Sequence, residues 1–386
     1  MLATIMAPRI MLIGGGALGD TPSVLARLGC TAPLLVSDRF LERTGLVQRL
    51  VTLLSDAGIV CGTFLDTVPD PTSDVVEAGV GALGQGKYDC LIALGGGSPM
   101  DTAKAMAILA AGGGHIRDYK VPASADRADL PLICIPTTAG TGSEVTRFTV
   151  ITDTAHDEKM LITGLGCLPT AAIVDYELTL SKPLRLTADT GIDSLTHAIE
   201  AYVSKRANPV SDMYALEAMA TIHQHIRTAC AEPGNHTARA AMMRGATLAG
   251  LAFSNASVAL VHGISRPIGA FFHVPHGLSN AMLLPEVTRF SLPAASARYA
   301  TCARTIGVAT AAEGDQAAGA ALVAALDQLN RDLDVPTPER YGIDAGRYRD
   351  LMPTMAAQAL ASGSPGNNPR VPTVDEIVTL YQRVWA

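Results

Sequence analysis

The sequence predicts an α/β domain built on a Rossmann-like parallel sheet, followed by an all-helical domain. Two observations predict this division. Up to about residue 180, short apolar segments alternate with helical patterns, which is typical of a parallel, doubly wound sheet. Beyond that point the strand-like segments cease and long helical patterns follow one another. A chain of 386 residues is long enough for two domains, which we expect at residues 1–180 and 181–386.

Five short apolar segments are the predicted strands of the first domain. They are Arg9–Ile13, Pro33–Ser37, Cys90–Leu94, Leu132–Pro136 and Ala171–Val174. Helical patterns lie between them at Leu41–Ala57, Thr72–Leu83 and Met100–Ala111. The helices predicted for the second domain are Ala188–Lys205, Pro209–Cys230, Thr237–Ala256, Pro293–Ile306, Asp315–Leu333 and Thr373–Trp385. Since doubly wound sheets bind ligands at the carboxyl ends of their strands, we expect a site among the loops that follow the strands.

Composition excludes several classes of protein. Apolar residues make up 48% of the chain and charged residues 17%, which excludes a disordered protein. The formal net charge of −7 argues against a nucleic-acid partner. Seven cysteines without a CxxC pair, and no cationic stretch ahead of the first apolar segment, predict a reduced, cytoplasmic protein. Two runs without charged residues, Gly245–Ser265 and Pro267–Pro285, contain three histidines and three prolines, so we expect buried interior and no membrane partner.

Two glycine-rich turns are candidates for binding a phosphate. Gly14, Gly16 and Gly19 spell GxGxxG after the first strand, which is the dinucleotide fingerprint. The second candidate, GGGSPMD at residues 95–101, follows the most apolar strand and begins a helix, whose free backbone amides attract phosphate. The alternative is a tight structural turn. The loop at residues 136–144 is rich in threonine and follows the next strand, so the two neighbouring loops together favour a nucleotide cleft.

Asp38 ends the second strand, about 20 residues after the first glycine turn. A carboxylate at this position binds the ribose hydroxyls and repels a 2′-phosphate, which predicts NAD rather than NADP. The alternative is an acidic residue that merely begins a surface helix.

A metal site is predicted in the helical domain. Asp193 and His197 are four residues apart in a helical pattern, which puts both side chains on one face. His262 and His276 follow within the region of low charge. One carboxylate and three imidazoles suit zinc or iron(II), whereas either histidine alone would be an ordinary core residue. Glu200 is either a hydrogen-bonding partner of this group or a solvated acid.

Four stretches of the chain resemble the iron-dependent (group III) alcohol dehydrogenases, and the resemblance extends from about residue 8 to residue 385. The stretches are GGGSPMDTAKA (95–105), PTTAGTGSEVTRFTVITD (136–153), ADTGIDSLTHAIEAY (188–202) and HGISRPIGAFFHVPHGLSNAMLLP (262–285). The resemblance implies an N-terminal domain that binds a nicotinamide cofactor and a C-terminal domain that binds the metal. It assigns the pyrophosphate to the later glycine turn, not to the first GxGxxG.

The resemblance also implies roles for individual residues. The metal ligands would be Asp193, His197, His262 and His276. The pyrophosphate would lie at Gly96, Gly97 and Ser98, in a cleft lined by Thr137, Thr138, Thr141 and Ser143. Asp101 and Lys159 complete the predicted cofactor-binding set, to which Asp38 also belongs.

One departure from the family concerns the proton relay. Many relatives have HGxxHP where this chain has His262-Gly263-Ile264-Ser265-Arg266-Pro267. Arg266 stays protonated and cannot act as a base. Our hypothesis is that Arg266 faces an anion, either a cofactor phosphate or an acidic group of the substrate. The alternative is an ion pair with an internal carboxylate from the other domain. His273 is a candidate substitute relay.

The resemblance implies hydride transfer between NAD(H) and a small primary alcohol or aldehyde polarised by Fe²⁺, with Zn²⁺ or another divalent ion as an alternative. Arg266 leaves open a carboxylated or phosphonylated aldehyde as the substrate. A lyase similar to the dehydroquinate synthases is a second alternative, although such enzymes need several basic residues. The intact ligand set argues against a maleylacetate reductase, and nothing in the chain favours a non-enzymatic sensor. We expect a homodimer or a higher homo-oligomer.

Overall fold

All the described strands lie in the first of two units. The computed structural model describes residues 2–156 and 158–386. One unit spans Met6–Ser181, and the other contains Lys182–Ala386 together with the residues that precede Met6. The first unit is α/β and the second is helical. The predicted fold class is therefore confirmed.

Six strands of the first unit form one parallel sheet in the order β1-β8-β5-β4-β2-β3. The strands are β1 (Ile10–Ile13), β2 (Pro33–Val36), β3 (Gly62–Phe64), β4 (Cys90–Gly95), β5 (Leu132–Pro136), β6 (Phe148–Asp153), β7 (Glu158–Thr163) and β8 (Ala171–Val174). The four inner strands are buried along their whole length. Burial on both faces explains why these strands are unbroken apolar segments in the sequence. The five predicted strands are all present, each to within one residue.

The sequence patterns missed three strands. β3 has only three residues, one of them glycine, so it carries almost no apolar signal. β6 and β7 form an antiparallel pair in which Phe148 faces Thr163 and Asp153 faces Glu158. Alternate residues of β6 are buried, which is the pattern of a strand with one face on the core.

Five helices connect the strands of the parallel sheet. They are α1 (Thr21–Leu28), α2 (Arg39–Arg43), α3 (Leu46–Asp56), α4 (Ser73–Gln85) and α5 (Gly97–Gly112). The single helix predicted over Leu41–Ala57 is wrong, because the chain breaks there into α2 and α3. Gly45 precedes α3 with φ 81°, a left-handed conformation that residues with a side chain rarely adopt. The apolar periodicity continues across this break and hides it.

The two faces of the sheet bury alternate residues of each strand. Leu91 and Ala93 of β4 face a core that includes residues of α4 and α5. Ile92 and Leu94 face a second core that includes residues of α1 and α3. Helices therefore cover both faces, as in other doubly wound folds.

The sheet reverses its direction of winding between β2 and β4. From β2 the chain continues outward to β3, whereas from β4 it continues through β5 to β8 on the other side. The helix that leaves β2 and the helix that leaves β4 pack on opposite faces. In open α/β sheets such a reversal creates a crevice at the carboxyl ends of the two strands, where ligands bind.

The second unit is built around one buried helix. Its helices are α6 (Leu184–Val203), α7 (Pro209–Ala231), α8 (His236–Asn255), α9 (Leu260–Phe272), α10 (His276–Ser291), α11 (Ser296–Thr305), α12 (Asp315–Asp332), α13 (Pro338–Tyr341), α14 (Ala345–Ala361) and α15 (Val374–Arg383). α6 is buried on all sides over its last turns and packs against α7, α8 and α10. Its polar side chains are therefore held inside the unit.

The region of low charge forms the second half of α8, α9 and much of α10, and these helices are mostly buried. Within the described parts of the chain, none of the helices alone has the length and hydropathy needed to cross a membrane. The pair α8 and α9 meets that test together, but its two helices are bent by 105°.

Candidate functional site

The crevice between β2 and β4 is flanked by two predicted cofactor-binding segments. Asp38 follows β2 and caps α2, with its Oδ1 accepting the N–H of Leu41 at 2.8 Å. Gly96 follows β4 and is the N-cap of α5, so the free amides of this helix start lie at the switch point. Asp38 begins a helix and also lies beside the crevice. Its role as a helix cap is therefore compatible with the predicted binding of the ribose.

The loop after β5 lies directly against the glycine turn. A Cβ on Gly97 would lie 3.2 Å from Cγ2 of Thr141, and a Cβ on Gly96 would lie 3.6 Å from Oγ1 of Thr138. Gly95 has φ 152°, and a Cβ there would clash with Pro99. The absence of side chains therefore lets two loops approach closely and leaves the backbone of the turn accessible.

Two other predicted cofactor-binding residues, Asp101 and Ser143, form hydrogen bonds that hold these loops. Ser143 Oγ donates to Oδ1 of Asp101 at 2.9 Å and accepts from Nζ of Lys104 at 2.8 Å. Asp101 also accepts the N–H of Val150 at 3.0 Å. Burial raises the pKa of Asp101, and the nearby Lys104 opposes that shift. These bonds tie α5 to the loop after β5 and to β6, so Asp101 and Ser143 hold the loops in place through contacts of their own.

The remaining predicted cofactor residues have different surroundings. Thr137 is buried, and its N–H donates to the carbonyl of Gly95 at 2.9 Å. Ser98 lies in the first turn of α5. Lys159 is on β7, and its Nζ lies 2.9 Å from Oδ1 of the exposed Asp70. This ion pair gives no support to a cofactor contact, so the assignment of Lys159 stays a prediction.

The first glycine turn binds a carboxylate of its own chain. The N–H groups of Gly16 and Leu18 donate to the two carboxylate oxygens of Asp175, each at 3.1 Å. Asp175 is fully buried just after β8. An internal carboxylate therefore takes the place that a phosphate would need at this turn. β1 is also an edge strand, away from the reversal of the sheet.

In the helical unit, four predicted ligands converge from three helices. Asp193 and His197 are on α6, His262 is on α9 and His276 begins α10. The Nε2 atoms of His262, His197 and His276 lie 3.5, 3.8 and 3.9 Å from Oδ1 of Asp193. The donor atoms of Asp193, His262 and His276 lie within 4.8 Å of one another, close enough to hold a metal ion.

The environment of this ligand group is mostly closed to solvent. Asp193, His197 and His262 are buried, whereas the side chain of His276 is 47% exposed. Burial alone would raise the pKa of Asp193, but the three histidines outweigh it and hold this pKa well below its usual range. The ring of His197 stacks on Phe253 of α8 at a centroid distance of 4.3 Å, which fixes its plane.

Two further residues complete the group, and one of them had no sequence signal. Glu200 is buried and lies with Oε2 2.7 Å from Nδ1 of His262, so it is a partner of the ligands and not a solvated acid. Burial opposes protonation of His262, but Glu200 and Asp193 raise its pKa to about 8. Asn280 is also buried and contacts three of the ligands. One asparagine among the several polar residues of α10 gives no indication of such a position.

Helix packing sets the position of α10. A Cβ on Gly277 would lie 2.5 Å from the carbonyl oxygen of Asp189 and 3.4 Å from Cβ of Asp193. Only a residue without a side chain allows α10 to approach α6 this closely. The approach brings His276 and Asn280 to Asp193.

Arg266 and His273 lie near the ligands along the chain but are arranged differently. Arg266 follows His262 by one turn of α9, and its Nη1 donates to Oγ of Ser364 at 2.9 Å. Burial lowers the pKa of Arg266, and Glu200 partly opposes that shift. Within the described part of the helical unit, no carboxylate lies within 4.0 Å of its guanidinium. His273 is exposed at the C-terminus of α9 with φ 55°, and none of its described contacts joins it to the ligands.

A second cluster of metal-binding residue types lies in the first unit. Cys30, Asp89 and Cys90 have their donor atoms within 4.8 Å of one another. Burial raises the pKa of both thiols, which disfavours the thiolates that bind metals. The oxygens of Asp89 already accept the N–H groups of Thr31 and Ala32. This cluster therefore joins the start of β4 to the residues before β2.

Comparison with known proteins assigns the chain to a family. A family model described as iron-containing alcohol dehydrogenase matches residues 8–176, and one for the C-terminal region of the Fe-containing alcohol dehydrogenase family matches residues 187–385. The chain belongs to the iron-containing alcohol dehydrogenases. The predicted family and the prediction of an oxidoreductase that acts on alcohols are confirmed.

Particular relatives include enzymes with different substrates. The chain is 37% identical over 381 residues to the NAD-dependent methanol dehydrogenase of Bacillus methanolicus, covering 99% of each protein. It is similar to the structure of a 1,3-propanediol oxidoreductase, with a TM-score of 0.95, 34% identity and complete coverage of both chains. It is also similar to sulfoacetaldehyde reductase from Bifidobacterium kashiwanohense in complex with NAD⁺, with a TM-score of 0.90, 30% identity and coverage of 100% and 99%. These relatives do not favour the lyase alternative.

Proposed function

We propose that this chain is an NAD(H)-dependent alcohol dehydrogenase and aldehyde reductase that uses a divalent metal, with Fe²⁺ as the favoured ion. It transfers hydride between nicotinamide and a small primary alcohol or aldehyde. The observation that carries the proposal is the convergence of His197, His262 and His276 on Asp193, with each Nε2 atom within 3.9 Å of Oδ1 of Asp193. Residues 1–180 would bind the cofactor, and residues 181–386 would bind the metal and the substrate.

The ligand group fits a divalent cation in its chemistry. One carboxylate oxygen and three imidazole nitrogens are a donor set for Fe²⁺ or Zn²⁺. The buried Oδ1 of Asn280 has no hydrogen-bond partner among the described residues, which also fits a site for a cation. When bound, such an ion acts as a Lewis acid toward the substrate oxygen. We favour iron because the family is described by it.

Residues around the ligands prepare the site for this chemistry. Glu200 would hold the proton on Nδ1 of His262 and so leave Nε2 to bind the ion. Phe253 excludes water from the face of His197 on which it stacks. His276 is the exposed member, so the substrate would approach from its side. Arg266 cannot accept a proton, and water or the ribose hydroxyls would carry the substrate proton away.

The proposed cofactor is NAD. Its pyrophosphate would bind the amides at the start of α5, at Gly96, Gly97 and Ser98, beside Thr138 and Thr141. Asp38 on the other side of the switch point would accept the ribose hydroxyls and disfavour a 2′-phosphate.

An anionic aldehyde is the second candidate substrate, and Arg266 is the observation that favours it. Arg266 is partly buried, and the described part of its own unit offers its guanidinium a hydroxyl but no carboxylate within 4.0 Å. A cation that is partly withdrawn from water and has no carboxylate in direct contact attracts an anion. The similar sulfoacetaldehyde reductase acts on an anionic aldehyde. A carboxylated, phosphonylated or sulfonated aldehyde would supply the missing charge.

One assay tests both candidates. Protein freed of metal by chelation and reloaded with Fe²⁺ or Zn²⁺ is given NADH with neutral and anionic short aldehydes, and the loss of NADH absorbance is followed. We expect turnover that returns with the metal. A preference for anionic aldehydes that disappears in Arg266→Ala, but persists in the control Arg244→Ala, would establish the second candidate. Arg244 is a half-exposed residue of α8. If no aldehyde is turned over with any metal, the proposed function is wrong.

We also propose a cytoplasmic homodimer or higher homo-oligomer without a nucleic-acid or membrane partner. The seven cysteines are free, which agrees with a reducing compartment. The net charge of −7 disfavours nucleic acid and anionic membrane surfaces. Sedimentation equilibrium of the purified protein would measure the number of subunits.

A further inference from the structure

Asn280 lies within the ligand group and contacts most of its members. It is wholly buried on α10, one helical turn after His276. Its Nδ2 lies 2.7 Å from Oδ1 of Asp193 and 3.2 Å from Nε2 of both His262 and His276. A single amide group therefore contacts three of the four proposed ligands through the same atoms that would bind the metal.

The other end of this amide has no partner. Oδ1 of Asn280 is buried and accepts no hydrogen bond from the groups that the structure describes. A buried acceptor without a donor destabilises the fold. Most buried polar atoms in folded proteins are satisfied, so an exception beside a ligand group points to a function.

The chemistry of the carboxamide connects these two observations. Its nitrogen and oxygen ends have the same shape and exchange places by a half-turn about the Cβ–Cγ bond. With nitrogen inward, two N–H groups point toward the place where the donor atoms of Asp193, His262 and His276 meet. With oxygen inward, an acceptor occupies that position. A cation attracts a carbonyl oxygen and repels N–H groups.

We propose that Asn280 is a fifth member of the metal site and turns its Oδ1 toward the ion. This inference rests on the proposed metal binding. Its spacing of four residues from His276 puts both side chains on the same face of α10. The close approach of α10 to α6 at Gly277 brings that face to Asp193.

The fifth donor has a consequence for metal preference. Zinc in proteins is most often bound by four ligands in a tetrahedron, whereas carbonyl and carboxylate oxygens suit harder ions that accept more ligands. An inward Oδ1 at Asn280 therefore shifts the preference of the site from Zn²⁺ toward Fe²⁺.

The test measures metal binding directly and does not depend on turnover. Protein stripped of metal is titrated with Co²⁺, whose visible absorption is more intense with four ligands than with five, and competition with a chelator gives the affinity. Asn280→Leu has a similar volume and neither polar atom. We expect it to bind Co²⁺ about 10–100-fold more weakly than the unmodified chain, with a more intense spectrum. Asn280→Asp offers an oxygen and no N–H, and we expect it to keep the affinity and the spectrum.

The two variants distinguish the effect of the amide oxygen on Co²⁺ binding from the effect of the N–H groups. Equal loss of Co²⁺ affinity in both variants would show that the N–H groups matter, and would overturn the proposal. An unchanged affinity and spectrum in Asn280→Leu would overturn it as well. If Asn280→Leu fails to fold in the presence of chelator, Asn280→Asp decides alone, because a folded Asn280→Asp that loses Co²⁺ contradicts an oxygen ligand.

A control and the unmodified chain complete the design. Asn368→Asp alters another buried amide of the helical unit, which bonds to Ser291 and to the carbonyl of Arg370, and should leave Co²⁺ binding unchanged. Failure of the unmodified chain to bind Co²⁺ would overturn the proposed metal site together with this inference. Binding by the unmodified chain with unaffected Asn280 variants would overturn this inference alone.

Discussion

Glu200 Oε2 lies 2.7 Å from Nδ1 of His262, and the same carboxylate accepts the N–H groups of Ala259 and Val261 at 2.8 and 2.5 Å. These two N–H groups belong to the start of α9, where a helix has no partners of its own for them. One side chain of α6 thus caps α9 and orients its histidine. Three bonds to one buried carboxylate leave the His262 ring little freedom to turn.

Replacing Glu200 by Gln should weaken metal binding by about 10–100-fold, the usual effect of losing the partner of a ligating histidine. The amide keeps the size of the side chain but loses the charge that favours Nδ1–H on His262. Chelator competition measures the affinity. Glu217→Gln, at an exposed residue of α7, serves as the control. An unchanged affinity in Glu200→Gln would show that packing alone orients His262.

Replacing Gly277 by Ala should destabilise the helical unit by about 1–3 kcal/mol, because the new methyl group would overlap the carbonyl of Asp189. The displacement of α10 should also weaken metal binding through His276. Urea denaturation measures the stability. Gly81→Ala is the matched control, since a Cβ at this exposed position of α4 meets nothing within 4 Å. The control should gain about 0.5–1 kcal/mol. Equal effects of the two substitutions would contradict this account of the packing.

Replacing Asp38 by Asn should reduce the preference for NAD over NADP by at least about tenfold, or about 1.4 kcal/mol. Asparagine keeps the cap of α2, because its side-chain oxygen accepts the N–H of Leu41 as well as aspartate does. Only the negative charge that repels a 2′-phosphate is removed. The ratio of kcat/KM for the two cofactors is the measurement. Thermal denaturation verifies that the cap survives, and an unchanged cofactor ratio in a stable variant would exclude Asp38 from cofactor choice.

Replacing Asp175 by Asn should cost stability of about 1–3 kcal/mol and leave the KM for NAD unchanged. The variant loses an acceptor for the N–H of Gly16 or Leu18 at a fully buried position. Gly97→Ala should do the opposite, raising the KM for NAD with a smaller effect on stability, since its methyl group would enter the turn beside Thr141. A raised KM for NAD in Asp175→Asn would show instead that the first glycine turn contributes to cofactor binding.

The sheet could be predicted because its strands leave a strong local pattern, whereas the four proposed ligands were assigned mainly by resemblance to the family, with the spacing of Asp193 and His197 as a weaker local signal. Buried parallel strands are continuous apolar segments, and Asp193 and His197 share a helix face by their spacing. Contacts between distant segments left no such signal. Asn280 is one of several polar residues of α10, and its contacts with the proposed ligands depend on where three helices meet. Asp175 follows an ordinary strand, and only the pairing of β1 with β8 brings it to the glycine turn.

The four proposed ligands differ in their access to water. This difference separates the affinity of the site for an ion from the lifetime of the bound ion. Three of them are buried, and the side chain of His276 is half exposed. We therefore expect a bound ion to exchange with the surrounding solution past His276, the proposed ligand that is most exposed. Substitutions at the three buried donors would change how tightly an ion is held at equilibrium. Changes in the mobility of His276 would instead set the lifetime of the loaded enzyme in the presence of a competing chelator.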